Sequence, residues 1–212
     1  MNPAHKCALK LQEVKTIFER NSKNQMKKII AFSLVLIFSV LLFSSCGNKQ
    51  HTVEITIENY GVITLVLDES IAPITVKNFL KLVEEGFYDG LTFHRIIDGF
   101  MIQGGDPKGN GTGGSDEKIK GEFAANGVQN DLSHKRGVIS MARSSAYNSA
   151  SSQFFIMHKD YPRLDGQYAA FGWVTSGMEV VDAICENTPV IDNNGTVLAA
   201  NQPKITSIRV VD

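Results

Sequence analysis

Residues 93–106 read F-H-R-I-I-D-G-F-M-I-Q-G-G-D, and this stretch decides how the fold is interpreted. Two short strand-like runs, residues 92–97 and 100–103, are separated by Asp98 and Gly99, which are typical of a tight turn. Both runs are rich in bulky apolar residues, as a half-buried strand requires. The pattern therefore predicts a β-hairpin.

The side chains of this hairpin are predicted to divide between two faces. Successive side chains of a strand point to opposite sides of the sheet. Phe93, Arg95 and Ile97 are therefore expected on one face, and His94 and Ile96 on the other.

The chemistry of the hairpin suits a site that grips a polypeptide. On a closed or strongly curved sheet, Arg95 and Gln103 can point into one groove. Phe100 and Met101 would then form an apolar wall beside this fixed cation and amide. An arginine flanked by isoleucines is more often a surface side chain or an ion-pair partner, so the hairpin alone leaves its function open.

The N-terminal part of the chain has the pattern of a signal peptide. Residues 29–43 form an uncharged apolar run that follows Met26-Lys27-Lys28 and is short for a transmembrane helix. Residues 1–25 precede this signal, and we interpret them as an upstream extension from a misassigned start codon. A genuine long basic region before the apolar run is the alternative.

Ser44-Ser45-Cys46 resembles the lipobox of bacterial lipoproteins, in which the cysteine is lipidated and becomes the new N-terminus. Phe43 stands where that motif usually has leucine. We predict that residues 26–45 are the signal peptide, that Cys46 is the lipid anchor, that residues 46–51 are a tether and that residues 52–212 are the folded domain. The protein is then a lipoprotein anchored to a membrane of the cell envelope, facing the periplasm or exported. A plain signal peptide or an uncleaved anchor is the alternative.

The charge and cysteine content narrow the possible partners. From Cys46 onward there are 14 Lys and Arg against 20 Asp and Glu, a net charge of −6, compared with −1 for the whole chain. An acidic domain without a basic patch is a poor nucleic-acid binder, so no nucleic acid is expected.

Of the other cysteines, Cys7 lies upstream of the signal, which leaves Cys185 in a helical pattern, where a buried position is predicted. The sequence has no disulfide framework and no zinc spacing, so no metal is expected.

The remaining pattern is dominated by short strands. Residues 72–86 have helical spacing, with Pro73 suited to the first turn, and residues 177–186 form a second helical pattern. Together these elements predict a mainly β fold, a closed antiparallel barrel capped by helices. Besides the hairpin, the predicted strands are residues 52–57, 61–67, 137–142, 152–157, 167–174 and 204–211.

Residues 104–114 contain Gly109, Gly111 and Gly114, which satisfy the spacing G-x-G-x-x-G. The polar residues 115–118 follow, with no apolar helix and no β-α-β unit, and the G-K-[S/T] motif is absent. We interpret this segment as a surface loop. A nucleotide-binding protein built on the loop is an alternative, and it would require stabilisation by phosphate.

Four motifs in order resemble the cyclophilin family of peptidyl-prolyl cis/trans isomerases. They are residues 93–106, G-V-I-S-M-A-R at 137–143, S-Q-F-F-I at 152–156 and L-D-G-Q-Y-A-A-F-G-W-V at 164–174. The resemblance covers nearly all of residues 53–211. It implies an eight-stranded antiparallel β-barrel capped by two α-helices, and an external groove that binds an X-Pro segment without a cofactor.

The same resemblance assigns the site residues. Arg95 matches the catalytic arginine, and Gln103 matches the amide that contacts the substrate backbone. Arg163 stands where many members have a tryptophan tied to cyclosporin binding, which makes sensitivity to that drug doubtful. The implied substrate-binding residues are Phe100, Met101, Phe155 and Leu164 of the proline pocket, Ala142 and Arg143, whose main chain would pair with the peptide, and Gln153 and Tyr168.

The leading hypothesis is a monomeric, lipid-anchored prolyl isomerase that acts on X-Pro peptides and on unfolded exported proteins. The rival hypothesis is a non-catalytic proline-peptide-binding or chaperone module on the same fold. Retention of Arg95 together with Gln103 and Phe155 favours the enzyme, because a pure binding module could lose the guanidinium.

Overall fold

The fold was analysed in a computed structural model that describes residues 50–211. The predicted extension, signal peptide and Cys46 lie outside the described residues. Within the described range, no helix is both long enough and apolar enough to cross a membrane.

Eight strands and two α-helices form the described part of the chain. Each predicted strand and helix is present, with ends displaced by up to three residues. The strands are β1 (Gln50–Ile57), β2 (Gly61–Asp68), β3 (Phe93–Ile97), β4 (Met101–Gly104), β5 (Val138–Met141), β6 (Phe154–Met157), β7 (Ala170–Ser176) and β8 (Ile205–Val210), and the helices are α1 (Pro73–Glu84) and α2 (Met178–Asn187).

The strands form one antiparallel sheet in the order β3-β4-β6-β5-β7-β2-β1-β8. The sheet curls until its two ends meet. Phe93 N donates to Pro203 O at 2.9 Å, and Ile205 N donates to Leu91 O at 2.8 Å. The eight-stranded barrel with two helices is therefore confirmed, and its closure depends on a short bridge beside β3 and β8.

The barrel interior is filled by alternate side chains of the strands. The side chain of Phe79 from α1 packs against this interior, with its ring centroid 5.5 Å from Phe154 and 5.4 Å from Phe171. Burial of the apolar face of α1, to which Phe79 belongs, holds the helix on the sheet. The buried apolar residues of β1 and β2 are Val53, Ile55, Ile57, Ile63, Leu65 and Leu67.

The predicted alternation along β3 was wrong at its first residue. A β-bulge lies between Phe93 and Arg95, so that Phe93 pairs with Gly104 and Arg95 pairs with Gln103. Phe93 is fully buried in the interior, with its ring edge-on to Phe154, whereas Arg95 is only half-buried. The extra residue of the bulge breaks the period of two, and for that reason Phe93 and Arg95 do not share a face.

Cys185 lies in α2 and is buried, as predicted. Desolvation raises the pKa of its thiol to about 12. The thiol therefore stays protonated at neutral pH and packs as a small apolar side chain.

The N-terminus of α1 is capped from a distant part of the chain. Ala72 precedes the helix and offers no side-chain acceptor. The carboxylate of Glu122, itself buried, accepts hydrogen bonds from Ile74 N at 3.0 Å, from Thr75 N at 2.7 Å and from Thr75 Oγ1 at 2.7 Å. A carboxylate at this position satisfies two of the unpaired amides and also complements the helix dipole.

Replacing Glu122 by alanine should therefore destabilise the protein. The change leaves the buried amides of α1 without acceptors, so we expect the free energy of unfolding to fall by about 2 kcal/mol. Urea unfolding measures it. Glu117→Ala is the matched control, since Glu117 only pairs with exposed Lys81, and equal stability of the two variants would contradict the capping role.

Candidate active site

An open groove of about 230 Å³ lies on the outer surface of the sheet. The structure brings every sequence-predicted site residue of the domain to this groove except Gln153. The groove is lined by Arg95, Phe100, Met101, Gln103, Ala142, Arg143, Phe155, Leu164 and Tyr168.

Strand register places the polar and apolar parts of the groove side by side. Arg95 of β3 lies opposite Gln103 of β4, and Gln103 lies opposite Phe155 of β6. Directly opposed residues of neighbouring strands bring their side chains together on one face. The cation, the amide and the ring therefore form one row across three strands.

The guanidinium of Arg95 is held by neutral oxygen atoms. Its Nη1 donates to Gln103 Oε1 at 3.2 Å, its Nε donates to the main-chain O of Asn194 at 2.8 Å, and its Nη2 donates to Asn194 Oδ1 at 3.2 Å. Partial burial lowers the pKa of Arg95, but arginine starts so high that the group remains charged at neutral pH. Sequence reasoning missed Asn194, whose only signal was an Asn-Gly turn pattern.

Gln153 supports Gln103 from behind. Gln103 Nε2 donates to Gln153 Oε1 at 2.9 Å, and Gln153 Nε2 donates to Gly113 O at 2.7 Å. Because the Gln153 amide nitrogen faces carbonyl oxygens, its own oxygen faces Gln103, and the oxygen of Gln103 is thereby turned toward Arg95. Gln153 lines a neighbouring polar cavity of about 320 Å³ instead of the groove itself.

The apolar end of the groove is a rigid pocket. Met101 and Phe155 are buried beneath it, and Phe100 and Leu164 complete its wall. The Tyr168 ring stands edge-on to Phe155 with centroids 5.8 Å apart. An apolar concave surface with one aromatic floor suits a small ring such as that of proline.

The side chain of Arg143 has a structural role that the sequence did not predict. Its guanidinium carbon lies 5.0 Å from the ring centre of Phe123, 5.1 Å from that of Tyr147 and 4.8 Å from that of Tyr168. It also donates to the Gln167 carbonyl through Nε at 3.1 Å and Nη2 at 2.9 Å. These cation–π contacts and hydrogen bonds hold Tyr168 at the rim of the groove.

The glycine-rich segment is a loop, as predicted, and three of its amides are already bound by a carboxylate of the loop itself. The buried carboxylate of Asp106 accepts hydrogen bonds from the amides of Lys108 at 2.8 Å, Asn110 at 3.1 Å and Gly111 at 2.6 Å. A phosphate would need such amides unpaired. The arrangement contradicts the nucleotide-binding alternative.

His94 is buried under this loop beside Arg95. Neither ring nitrogen has a hydrogen-bond partner among residues 50–211, and a Cβ at Gly111 would lie 3.7 Å from Nε2 of the imidazole. Desolvation lowers the pKa of His94 from its ordinary value of 6.5, and the nearby charge of Arg95 lowers it further, while Asp106 opposes the shift. The folded protein therefore holds this imidazole neutral.

We expect His94 to make the protein less stable in acid. Its folded pKa is depressed, so the unfolded chain binds the proton first, and stability present above pH 6.5 is lost as the pH falls below that value. One such group changes the free energy of unfolding by up to about 1.4 kcal/mol per pH unit. Urea unfolding at pH 7, 6 and 5 gives the free energy of unfolding at each pH. This free energy should depend less steeply on pH for His94→Leu than for the wild type. The same pH dependence in both proteins would contradict this role.

Comparisons of the sequence with known proteins agree on one family. The sequence profile of the family described as cyclophilin type peptidyl-prolyl cis-trans isomerase/CLD matches residues 52–210. Peptidyl-prolyl cis-trans isomerase A of Dickeya dadantii is 41% identical over 169 residues, which cover 76% of this chain and 86% of the relative. Peptidyl-prolyl cis-trans isomerase B of Bacillus subtilis is 48% identical over 123 residues, 58% of this chain and 82% of the relative.

Solved structures agree with the sequence relatives. A cyclophilin type peptidyl-prolyl cis-trans isomerase of Cryptosporidium parvum, crystallised in the presence of the dipeptide Ala-Pro, superposes with a TM-score of 0.67 at 35% identity. The superposition covers 76% of this chain and 99% of that structure.

Proposed function

Because the chain belongs to the cyclophilin family of peptidyl-prolyl cis-trans isomerases, we propose that it rotates X-Pro peptide bonds through the action of Arg95 on the proline nitrogen. The isomerase activity itself is that of the family. The assignment of Arg95 is supported by one observation above all: a charged guanidinium is held in the same groove as an apolar pocket.

The reaction needs relief of amide resonance and no covalent chemistry. A planar amide delocalises the nitrogen lone pair, and this delocalisation creates a barrier of about 18–20 kcal/mol. As the X-Pro bond twists, the lone pair returns to the nitrogen and can accept a hydrogen bond. A donor placed there binds the twisted state more strongly than the planar one, and this difference lowers the barrier.

The geometry of Arg95 suits that donor role. Three of its five N–H groups are engaged by Gln103 and Asn194. One hydrogen on each terminal nitrogen remains for the substrate. Among residues 50–211 no carboxylate forms a salt bridge with this guanidinium. The carboxylate of Asp192 acts on its charge only from beyond salt-bridge distance.

The other groove residues are proposed to hold the substrate. The pocket of Phe100, Met101, Phe155 and Leu164 would take the proline ring and exclude water that competes for the nitrogen lone pair. The main chain at Ala142 would pair with the peptide, and Gln103 would contact its backbone. Together these contacts would fix the peptide on one side of the X-Pro bond while the other side rotates.

The main test replaces the proposed donor. Arg95→Ala should lower kcat/KM for an Ala-Pro peptide by at least about tenfold, or about 1.4 kcal/mol of transition-state stabilisation. Exchange spectroscopy by NMR measures the cis/trans rate in the presence of each protein. Arg209→Ala is the control, because Arg209 is an exposed arginine on β8 and does not line the groove.

Two outcomes of that experiment would point elsewhere. If the wild type binds the peptide without accelerating its exchange, the non-catalytic binding module replaces the enzyme. If the wild type is active and Arg95→Ala retains full activity, the enzyme stands but the role of Arg95 is wrong.

For the cellular setting, we propose a monomeric lipoprotein of the cell envelope whose substrates are unfolded exported proteins. The support is the sequence pattern at residues 26–46, in which a basic start, an apolar run and Ser44-Ser45-Cys46 follow one another. The acidic balance of the chain from Cys46 onward supports the absence of nucleic-acid partners.

Cys46→Ser tests the proposed anchor. Because the thiol is the proposed acceptor of the lipid, we expect the variant to lose incorporation of radiolabelled fatty acid and to leave the membrane fraction. Globomycin, which inhibits processing of lipoprotein signals, should cause the precursor of the wild type to accumulate. Membrane retention of Cys46→Ser at the wild-type level would contradict the lipoprotein proposal.

A further inference from the structure

The segment from Asp192 to Val197, here called the Asn194 loop, covers the open edge of β3. In the sheet β3 has only β4 as a ladder partner. On its other side, Val197 N donates to His94 O at 3.0 Å, and Ile96 N donates to Gly195 O at 2.8 Å. The loop is thus bonded to the two residues that flank Arg95 in the chain.

The shape of the Asn194 loop is fixed by its own hydrogen bonds. Asp192 Oδ1 accepts from Thr196 N at 3.0 Å, and Gly195 N donates to Asp192 O at 3.1 Å. Gly195 has a φ of +80°, and a Cβ at this position would lie 2.2 Å from Ile96 O. Only glycine allows so close an approach to β3.

This loop presents two oxygens of one residue to one edge of the guanidinium. The main-chain O of Asn194 accepts from Arg95 Nε at 2.8 Å, and its Oδ1 accepts from Arg95 Nη2 at 3.2 Å. Nε and Nη2 lie in the plane of the guanidinium, so a two-point contact along that edge fixes the orientation of the plane. The opposite terminal nitrogen, Nη1, is held by Gln103.

We propose that Asn194 is a positioning residue for the isomerase reaction, which orients the Arg95 guanidinium through neutral oxygens and without a direct salt bridge. The proposal rests on the role of Arg95 proposed above. A long arginine side chain otherwise loses considerable rotamer freedom on binding substrate. With Asn194 in place, that freedom is already restricted in the free enzyme, so the donor is aligned before the X-Pro bond twists.

The experiment compares three variants of the full-length protein. Asn194→Ala removes the Oδ1 contact and keeps the main-chain contact. Asn194→Asp keeps an oxygen acceptor at the same position. Asn193→Ala is the control, because Asn193 is exposed next to it and makes no hydrogen bond with Arg95. For each, kcat and KM are measured by NMR exchange of an Ala-Pro peptide, thermal unfolding is recorded, and the Nε–H signal of Arg95 is followed.

For Asn194→Ala we expect kcat to fall about three- to tenfold, the range for loss of one orienting hydrogen bond. KM should stay within about twofold, and the Nε–H order parameter of Arg95 should fall, with the unfolding temperature unchanged. Asn194→Asp should restore the order parameter, and Asn193→Ala should match the wild type in every measurement.

Arg95→Ala, measured alongside, separates the two proposals. If Arg95→Ala loses activity while Asn194→Ala keeps the wild-type kcat and Nε–H order, the positioning role is overturned and the role of Arg95 stands. If Asn194→Ala loses kcat only in proportion to a loss of thermal stability, the residue is structural and the proposal is also overturned. If Arg95→Ala keeps full activity, both proposals fall.

Discussion

The site depends on a guanidinium that is oriented by neutral oxygens. A carboxylate partner would hold Arg95 more strongly. It would also neutralise the positive charge that strengthens the hydrogen bond to the lone pair of the proline nitrogen. The chain uses an amide side chain on Gln103 and a main-chain and an amide oxygen on Asn194 instead. These three weaker hydrogen bonds fix the position of the guanidinium, and its positive charge remains available to the substrate.

Holding a cation in this way places demands on the barrel around it. The bulge in β3 sends Phe93 into the interior and leaves Arg95 on the groove side. Phe93 packs against Phe154, and the neighbouring Phe155 forms the groove floor. β6 therefore fills the interior with Phe154 and lines the groove with Phe155, and β3 does the same with Phe93 and Arg95. The close packing of the interior thus supports the side chains of the site.

Much of this could be predicted from the sequence, because most of the signals are local. The hairpin, the period of the strands, the two helices and Pro73 in the first turn of α1 all depend on residues within a few positions of each other. The groove residues came from motifs in register with a known family. The face of Phe93 was predicted wrongly. The bulge breaks the alternation of faces along β3, but the sequence of this strand gives no sign of where the extra residue lies.

The contacts that could not be predicted join residues far apart in the chain. Glu122 caps a helix 47 residues earlier, and Asn194 holds a guanidinium 99 residues earlier. Each lies in an irregular segment, where no periodicity indicates which face meets which partner. A polar side chain in such a loop has many possible hydrogen-bond partners, and the tertiary fold alone selects one.

The orientation of the polar side chains is also a property of the network as a whole. The carbonyl of Gly113 accepts from Gln153, so the Gln153 oxygen is turned to Gln103, and the Gln103 oxygen is turned to Arg95. Reversing any one amide would place two donors or two acceptors against each other, at the cost of an unsatisfied group. The glycine-rich loop, through the carbonyl of Gly113, thus fixes the direction of a chain of hydrogen bonds that ends at the proposed catalytic cation.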